Sequence, residues 1–578
     1  MRPPRPGNGP PYEGTGHVSS KPPPAETAPG TPGVPDALSQ EHRLKRDLGF
    51  WGLTAIGFSN ILGSGWLFAA LYASQTAGPA ALLSWVGAGV LCALVALVMV
   101  ELGATRPEGG GTARWPLYAS GRLVGTMIGW SVLLSVGGTA AEISAIMQYA
   151  AHYVPGIYKG GSLTGSGLAL AAGLSVLLTA LNWFAVRLFA RLNNLVSLLK
   201  VIIPLVTVVA LFLSGTHAGR LTDPAHGGFA PYGYAACLTA LAGGGIVYSV
   251  NGFQAPLDFS GEARRPRRTV PAAVLTGIGL AVFVYLLLQL AFLYTVPGAD
   301  LAHGWQGVSF DSPFGQLALV LNLQWLAALL YADAVISPGG SAYVGVAIDA
   351  RHTYALAKNG LLPRFFMRID PRSGAARRAL VLNLAVIVVF LLPFGGWQQI
   401  VSVMGDMYLL IYAASAVAVA VFRAHEREGE RGRVGGDGAA RRVAHVPRKP
   451  GQMPGMRWIA PVSFVVSSEF VYWSGWHSLR LALPFVLLGL PMFLLLRRTP
   501  GELPRRVELR QGAWLVCLLA VLTLLSWLGS FGGSGRLPAP YDSVVVALVA
   551  LAVFAWAVRA GAGHLRAAPA RVADGLNG

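Results

Sequence analysis

Apolar residues fill runs of about 20 positions, the length of helix that crosses the hydrocarbon of a bilayer, and short polar segments separate them. The runs predict helices near 50–73, 80–102, 121–153, 163–185 and 191–215, then 234–262, 271–297, 313–351, 376–394 and 397–422. Four more fall near 457–477, 481–497, 511–531 and 540–560. The expected fold is therefore an all-α polytopic membrane protein of about fourteen spans. Two of the spans are interrupted by glycine. The first breaks at Gly63-Ser64-Gly65, and the sixth breaks across Gly243-Gly244-Gly245 and again at Asn251-Gly252. Irregular backbone at membrane depth is tolerated where it lines an enclosed cavity or meets a ligand, because an unpaired N–H or C=O in hydrocarbon costs several kcal/mol. Matched breaks in two halves of a chain point to the binding site of a secondary transporter. The competing reading is that these glycines only let helices pack closely.

The polar segments set orientation. With a cytoplasmic amino terminus, the 44 Lys and Arg fall on the cytoplasmic side except Lys159, Arg220, Arg480 and Arg536, and except Lys200, which lies within a span. Positive charge retained inside is the usual determinant of topology. Orientation thus accounts for the formal charge of +18 without nucleic acid as a partner. Residues 1–45 are rich in Pro and Gly and read as a disordered cytoplasmic tail without the arrangement of a signal peptide. The segments 46–422, 423–456, 457–560 and 561–578 read as a ten-helix core, a cytoplasmic linker, a four-helix extension and a cytoplasmic carboxyl-terminal tail. The preference for Arg, Ala and Gly suggests a bacterial plasma membrane.

Cys92, Cys237 and Cys517 lie in apolar surroundings and offer neither a disulfide scaffold nor metal spacing. Nucleophile elbow, nucleotide loop and paired metal-binding histidines are all missing from the sequence, so it calls for no cofactor and argues against an enzyme. Gly109-Gly110-Gly111 lacks the Lys-Ser/Thr ending of a phosphate loop. A sensor would need a folded output domain, and the loops show none.

At Gly63-Ser64-Gly65 the second half-helix begins, and its free N–H groups and positive dipole end suit a carboxylate. Carbonyls near Tyr248 and Ser249, at the end of a half-helix in the sixth span, can accept from an ammonium group. A zwitterion finds partners at both breaks. The candidate binding residues are Gly63, Ser64, Gly65, Trp66, Gly245, Tyr248, Ser249, Asn251 and Phe253, the aromatics among them being either lids or helix packing. Ionisable groups within spans are functional candidates because burying one is expensive. Lys200 is a candidate for proton coupling or a snorkelling lysine. Glu142 and Asp333 are candidates for proton or ammonium binding, or neutral structural carboxyls. Ser337-Pro338-Gly339-Gly340 predicts a break or kink in the eighth helix. Asp258 and Glu262 face the run Arg264 to Arg268 as a gate pair or an interfacial salt bridge.

The residues Gly63-Ser64-Gly65-Trp66-Leu67-Phe68, Glu101-Leu102-Gly103-Ala104 and Gly261-Glu262-Ala263-Arg264-Arg265-Pro266 resemble the amino acid-polyamine-organocation permeases. So does Tyr354-Ala355-Leu356-Ala357-Lys358-Asn359-Gly360. The Ser64 to Ala69 stretch, Ser337 to Gly340 and Tyr472-Trp473-Ser474-Gly475-Trp476 resemble the bacterial aspartate:proton symporter branch. The resemblance implies five helices plus five in inverted topology, with helices one and six unwound around the substrate. It also implies a lysine on helix five beside the helix-one break, which matches Lys200. The expected function is proton-coupled amino-acid symport, with an acidic amino acid such as aspartate as first substrate, or amino acid/amine exchange in the same fold. Trp66 stands where the family commonly has Ile, and no arginine lies at membrane depth to hold a side-chain carboxylate.

Overall fold

The computed structural model describes residues 48–106, 111–184, 186–215, 217–259, 263–370, 376–394, 396–434, 451–496 and 503–567. Helix occupies each of the fourteen predicted segments. The first span is split into α1 (Phe50–Ile61) and α2 (Gly65–Ala77), followed by α3 (Ala81–Thr105). The third span comprises α4 (Gly111–Leu134) and α5 (Gly137–Ala150), and α6 (Gly165–Phe184) and α7 (Val186–Leu213) complete the first five. The sixth span is three pieces, α8 (Ala235–Gly243), α9 (Ile246–Val250) and α10 (Ala255–Asp258). After it come α11 (Pro266–Thr295), α12 (Pro313–Val320), α13 (Gln324–Lys358), α14 (Arg377–Leu391) and α15 (Trp397–Val434). The extension is α16 (Met456–Trp473), α17 (Gly475–Leu487), α18 (Gly489–Leu495), α19 (Arg505–Leu528) and α20 (Tyr541–Ala567). A single two-stranded ribbon, Tyr158–Lys159 against Ser162–Leu163, is the sheet among the described residues.

Nine helices among the described residues are long and apolar enough to cross a membrane, and ten if the bent pair formed by 235–243 and 246–257 is one span. The 12-residue α1 and the 15-residue α14 are too short to count among them. Side chains such as Val86, Val90, Leu177, Leu548 and Leu551 remain exposed on the outer faces, as lipid-facing surface requires.

Both predicted breaks are present and open the first and second sets of five spans. Leu62 leaves the helical region with φ −78° and ψ 83°. Gly245 has φ +75°, a left-handed conformation that L side chains adopt with difficulty, and a Cβ there would stand 2.8 Å from the Trp397 ring. The two segments of the sixth span meet at 57°.

Two expectations need correction. Helix α13 continues through Ser337-Pro338-Gly339-Gly340 without interruption. A proline inside a helix forfeits only one backbone donor, and Gly340 serves packing instead: a Cβ there would stand 2.6 Å from Val196 on α7. The tenth helix also does not stop at 422. It extends to Val434. Residues 1–45, Glu262, the side chain of Asp258, and the linker from 435 to 450 lie outside the described residues, so the gate pair and the disordered tail lie there too.

Polar contacts hold the end of the linker and the extension to the core. Arg423 forms a two-pronged ion pair with Glu101 on α3, and Glu101 also accepts from the Met453 N–H at 2.8 Å. Gly121, with φ 82° and ψ −177°, interrupts α4, and the Glu508 carboxylate on α19 accepts from the Arg122 N–H at 2.6 Å. The buried Ser478 hydroxyl on α17 donates to Asp406 on α15 at 3.1 Å.

Candidate substrate site

The two breaks face each other across a cavity of about 160 Å³, lined from α1 and α2 by Asn60, Gly63 and Gly65 and from the sixth span by Tyr248, Ser249 and Asn251. Its other walls include Thr139 and Glu142 on α5, Ser341 and Asp349 on α13, and Tyr408 on α15. This exceeds many times over the roughly 10–15 Å³ needed for one water. The approach of the two broken helices is set by side-chain size, because a Cβ on Gly65 would overlap the Ser249 hydroxyl and lie 2.9 Å from the Ser249 Cα.

Glu142 stands at the centre of this geometry. Its Oε2 accepts from the Ser64 backbone N–H at 2.9 Å, and its Oε1 accepts from the Tyr248 hydroxyl at 3.0 Å. The protein's own carboxylate therefore occupies the first turn of α2, the place where free N–H groups and the helix dipole favour an anion. The Gly138 carbonyl, 3.1 Å from the same hydroxyl, is a second acceptor for its single proton. One residue on α5 thus joins both breaks.

The remaining predicted residues divide between wall and support. Ser64 is fully buried, and its hydroxyl accepts from Trp397 Nε1 at 2.7 Å. The Tyr248 and Ser249 carbonyls accept from the Asn251 N–H at 3.0 Å and the Tyr285 hydroxyl at 3.0 Å, each retaining a second lone pair. Asn251 accepts from Tyr412 at 2.7 Å, and the Gln254 amide donates to both. Trp66, Phe253 and Gly245 do not line the cavity. Trp66 turns away from Gly65 by about 100° of helix and packs on Phe314, with centroids 5.9 Å apart. Phe253 is wholly buried against Tyr412.

Lys200 is buried and its Nζ donates to the Ser341 hydroxyl, so it meets the cavity wall through that serine. It lies within electrostatic reach of both Glu142 and Asp333. Asp333 is fully buried outside the cavity, and neither carboxylate oxygen has a hydrogen-bond partner among the described residues. A buried carboxyl without partners is costly.

Sequence reasoning missed Trp397, Tyr408 and Asp349. Trp397 stacks on Phe68 at 5.0 Å and Tyr72 at 5.8 Å, forming with Tyr149 an aromatic layer beside the break. Its signal was a tryptophan directly after Gly395-Gly396 at the start of a span. Asp349 was within the predicted eighth span, and the rule that selected Asp333 applies to it equally.

Known proteins resemble the chain along most of its length. The amino acid permease family profile matches residues 48–554. The glutamate/serine transporter AimA of Bacillus subtilis (strain 168) is 35% identical over 530 residues, 90% of this chain and 95% of its own. The aspartate-proton symporter of the same organism is 31% identical over 532 residues, 91% of this chain and 98% of its own. Cationic amino acid transporter 4 of Mus musculus is 27% identical over 399 residues, 67% of this chain and 61% of its own. With a cavity between two broken helices and a family match along nearly its whole length, this chain belongs to the amino acid permeases and is a multi-pass membrane transporter of amino acids.

Proposed function

We propose that this permease is a proton-coupled amino-acid symporter working by alternating access, with acidic amino acids such as aspartate among its substrates. The observation that carries the reading is the Glu142 carboxylate on the Ser64 N–H. An incoming α-carboxylate requires that seat, and two carboxylates cannot share it while both are charged. Protonation of Glu142 removes the competing charge, frees the N–H groups of the α2 first turn, and ties entry of one anion to entry of one proton. Gly63, Ser64 and Gly65 supply the carboxylate seat. Tyr248, Ser249 and Asn251 form the facing wall for the ammonium group.

Lys200 and Asp333 extend the proton path. The Lys200 ammonium, held by Ser341, stabilises charged Glu142 when the site is empty, and Asp333 is an unpartnered acceptor on its other side. The names of two relatives, an aspartate-proton symporter and a glutamate/serine transporter, support both the substrate class and the coupling. Residues 46–422 form the transport core, and 457–560 brace it through Glu508 and Ser478.

The test is uptake of labelled aspartate, glutamate, leucine and arginine into proteoliposomes with and without an inward proton gradient. Gradient-driven accumulation of aspartate is expected. Uptake that ignores the gradient and requires internal amino acid would establish an exchanger instead.

A further inference from the structure

The cavity holds a second carboxylate that the coupling scheme does not use. Ser341, Val344, Gly345, Ile348 and Asp349 line it at helical spacing along one face of α13. Ser341, where Lys200 is attached, and Asp349 lie eight residues apart, about 12 Å along the helix axis. Asp349 is buried, and its Oδ2 accepts from the Thr139 hydroxyl at 3.2 Å. Its other oxygen has no hydrogen-bond partner among the described residues. Gly345 permits this contact, since a Cβ there would stand 2.7 Å from the Thr139 hydroxyl. Thr139, which holds Asp349, and Glu142 are three residues apart on α5, a separation of roughly 5 Å along the helix axis. That is the reach of a short amino-acid side chain whose α-carboxylate sits at the Ser64 end.

We infer that Asp349 reads the far end of the substrate and accepts only side chains that place a proton between the two groups. This rests on the reading that the α-carboxylate occupies the Ser64 seat. A hydroxyl side chain brings its own proton and donates it to the Asp349 carboxylate. An acidic side chain brings a second carboxylate, and two such groups in contact hold one shared proton rather than two full charges. That proton comes from the external solution, bridges one Asp349 oxygen and one side-chain oxygen, and leaves with the substrate on the other side. The other charged or titratable groups around this space are Glu142 on α5, Tyr248 on α9 and Tyr408 on α15. The Lys200 ammonium of α7 is at the opposite, Ser341 end, and Arg351 on the same helix is exposed. No cation faces Asp349 among the cavity-lining residues, so the shared proton is what makes an acidic side chain acceptable.

The experiment is a proton count in proteoliposomes, with entrapped pH dye and labelled substrate, comparing L-serine with L-aspartate in the wild-type protein and in Asp349→Asn. Aspartate is expected to carry about one proton more than serine, and the difference is expected to vanish in Asp349→Asn, whose amide donates without taking up a proton. Equal counts for the two substrates in the wild type, or a difference that persists in Asp349→Asn, would overturn the role of Asp349. Should the variant fail to fold, the wild-type comparison alone decides. The count for serine tests the Glu142 reading separately: a zero count with serine and a proton with aspartate would discard coupling through Glu142 and keep Asp349. Transport of neither substrate would overturn both.

Discussion

The Ser64 backbone N–H donates to Glu142 across 78 residues of sequence, a 2.9 Å bond that seats a side-chain carboxylate on the start of a broken transmembrane helix. The same carboxylate receives the Tyr248 hydroxyl from the other broken span. A group in that position competes with a substrate carboxylate when charged and stops competing when neutral.

Glu142→Gln should therefore separate binding from coupling. Glutamine takes up no proton, so gradient-driven accumulation of serine is expected to be lost, while aspartate keeps only the proton it shares with Asp349. A neutral occupant is bound less strongly than a charged one by about 1 kcal/mol, so aspartate affinity near neutral pH should tighten roughly fivefold. In the wild type, affinity should rise as pH falls, because protonated Glu142 vacates the seat, and this slope should flatten in the variant. Binding curves by thermal shift at several pH values check it. A variant with the wild-type pH slope would remove Glu142 from the coupling step.

Lys200→Ala removes the ammonium that Ser341 anchors near Glu142 and Asp333. Serine accumulation driven by a pH gradient should disappear, and aspartate should keep only the proton it shares with Asp349, while binding of both stays measurable. Unchanged accumulation would show that the lysine serves only packing.

Gly65→Ala probes the close approach of the two breaks. The added methyl meets the Ser249 hydroxyl and, at 2.9 Å, the Ser249 Cα, which cannot rotate away. Overpacking of this kind costs about 1–3 kcal/mol, and both melting temperature and uptake should fall. Combining it with Ser249→Ala should recover only part of the loss, since the backbone clash persists.

Glu101→Ala tests the ion pair that joins α3 to α15 and holds the chain just before the extension. It leaves Arg423 without its carboxylate and Met453 N–H without its acceptor. Loss of one partner of a largely buried ion pair costs about 3–5 kcal/mol. The expected result is early melting in detergent, read by fluorescence-detected size exclusion, with Arg423→Ala similar and the double variant less than additive. Independent, additive losses would mean that the two residues do not act as a pair.

The hydrophobic pattern was enough to determine that this chain is a helical membrane protein, which segments are helical, and that the first and sixth spans are broken, because hydrocarbon imposes length and hydrogen-bonding rules that leave few alternatives. Glycine runs at 63–65 and 243–245 announced the breaks for the same reason, and Glu142, Lys200 and Asp333 stood out as charges in apolar runs. Local sequence could not show that Pro338 stays within a continuous helix, since that depends on how α7 packs against Gly340. Nor could it show which aromatics meet the cavity. Trp66 is adjacent to the break yet faces Phe314, whereas Trp397, more than 300 residues away, reaches the Ser64 hydroxyl. The pairing of Glu142 with Ser64 and Tyr248, and of Asp349 with Thr139, was decided only when separate helices packed together. Periodicity assigns a residue to a face, but the neighbour that face meets is set by long-range packing.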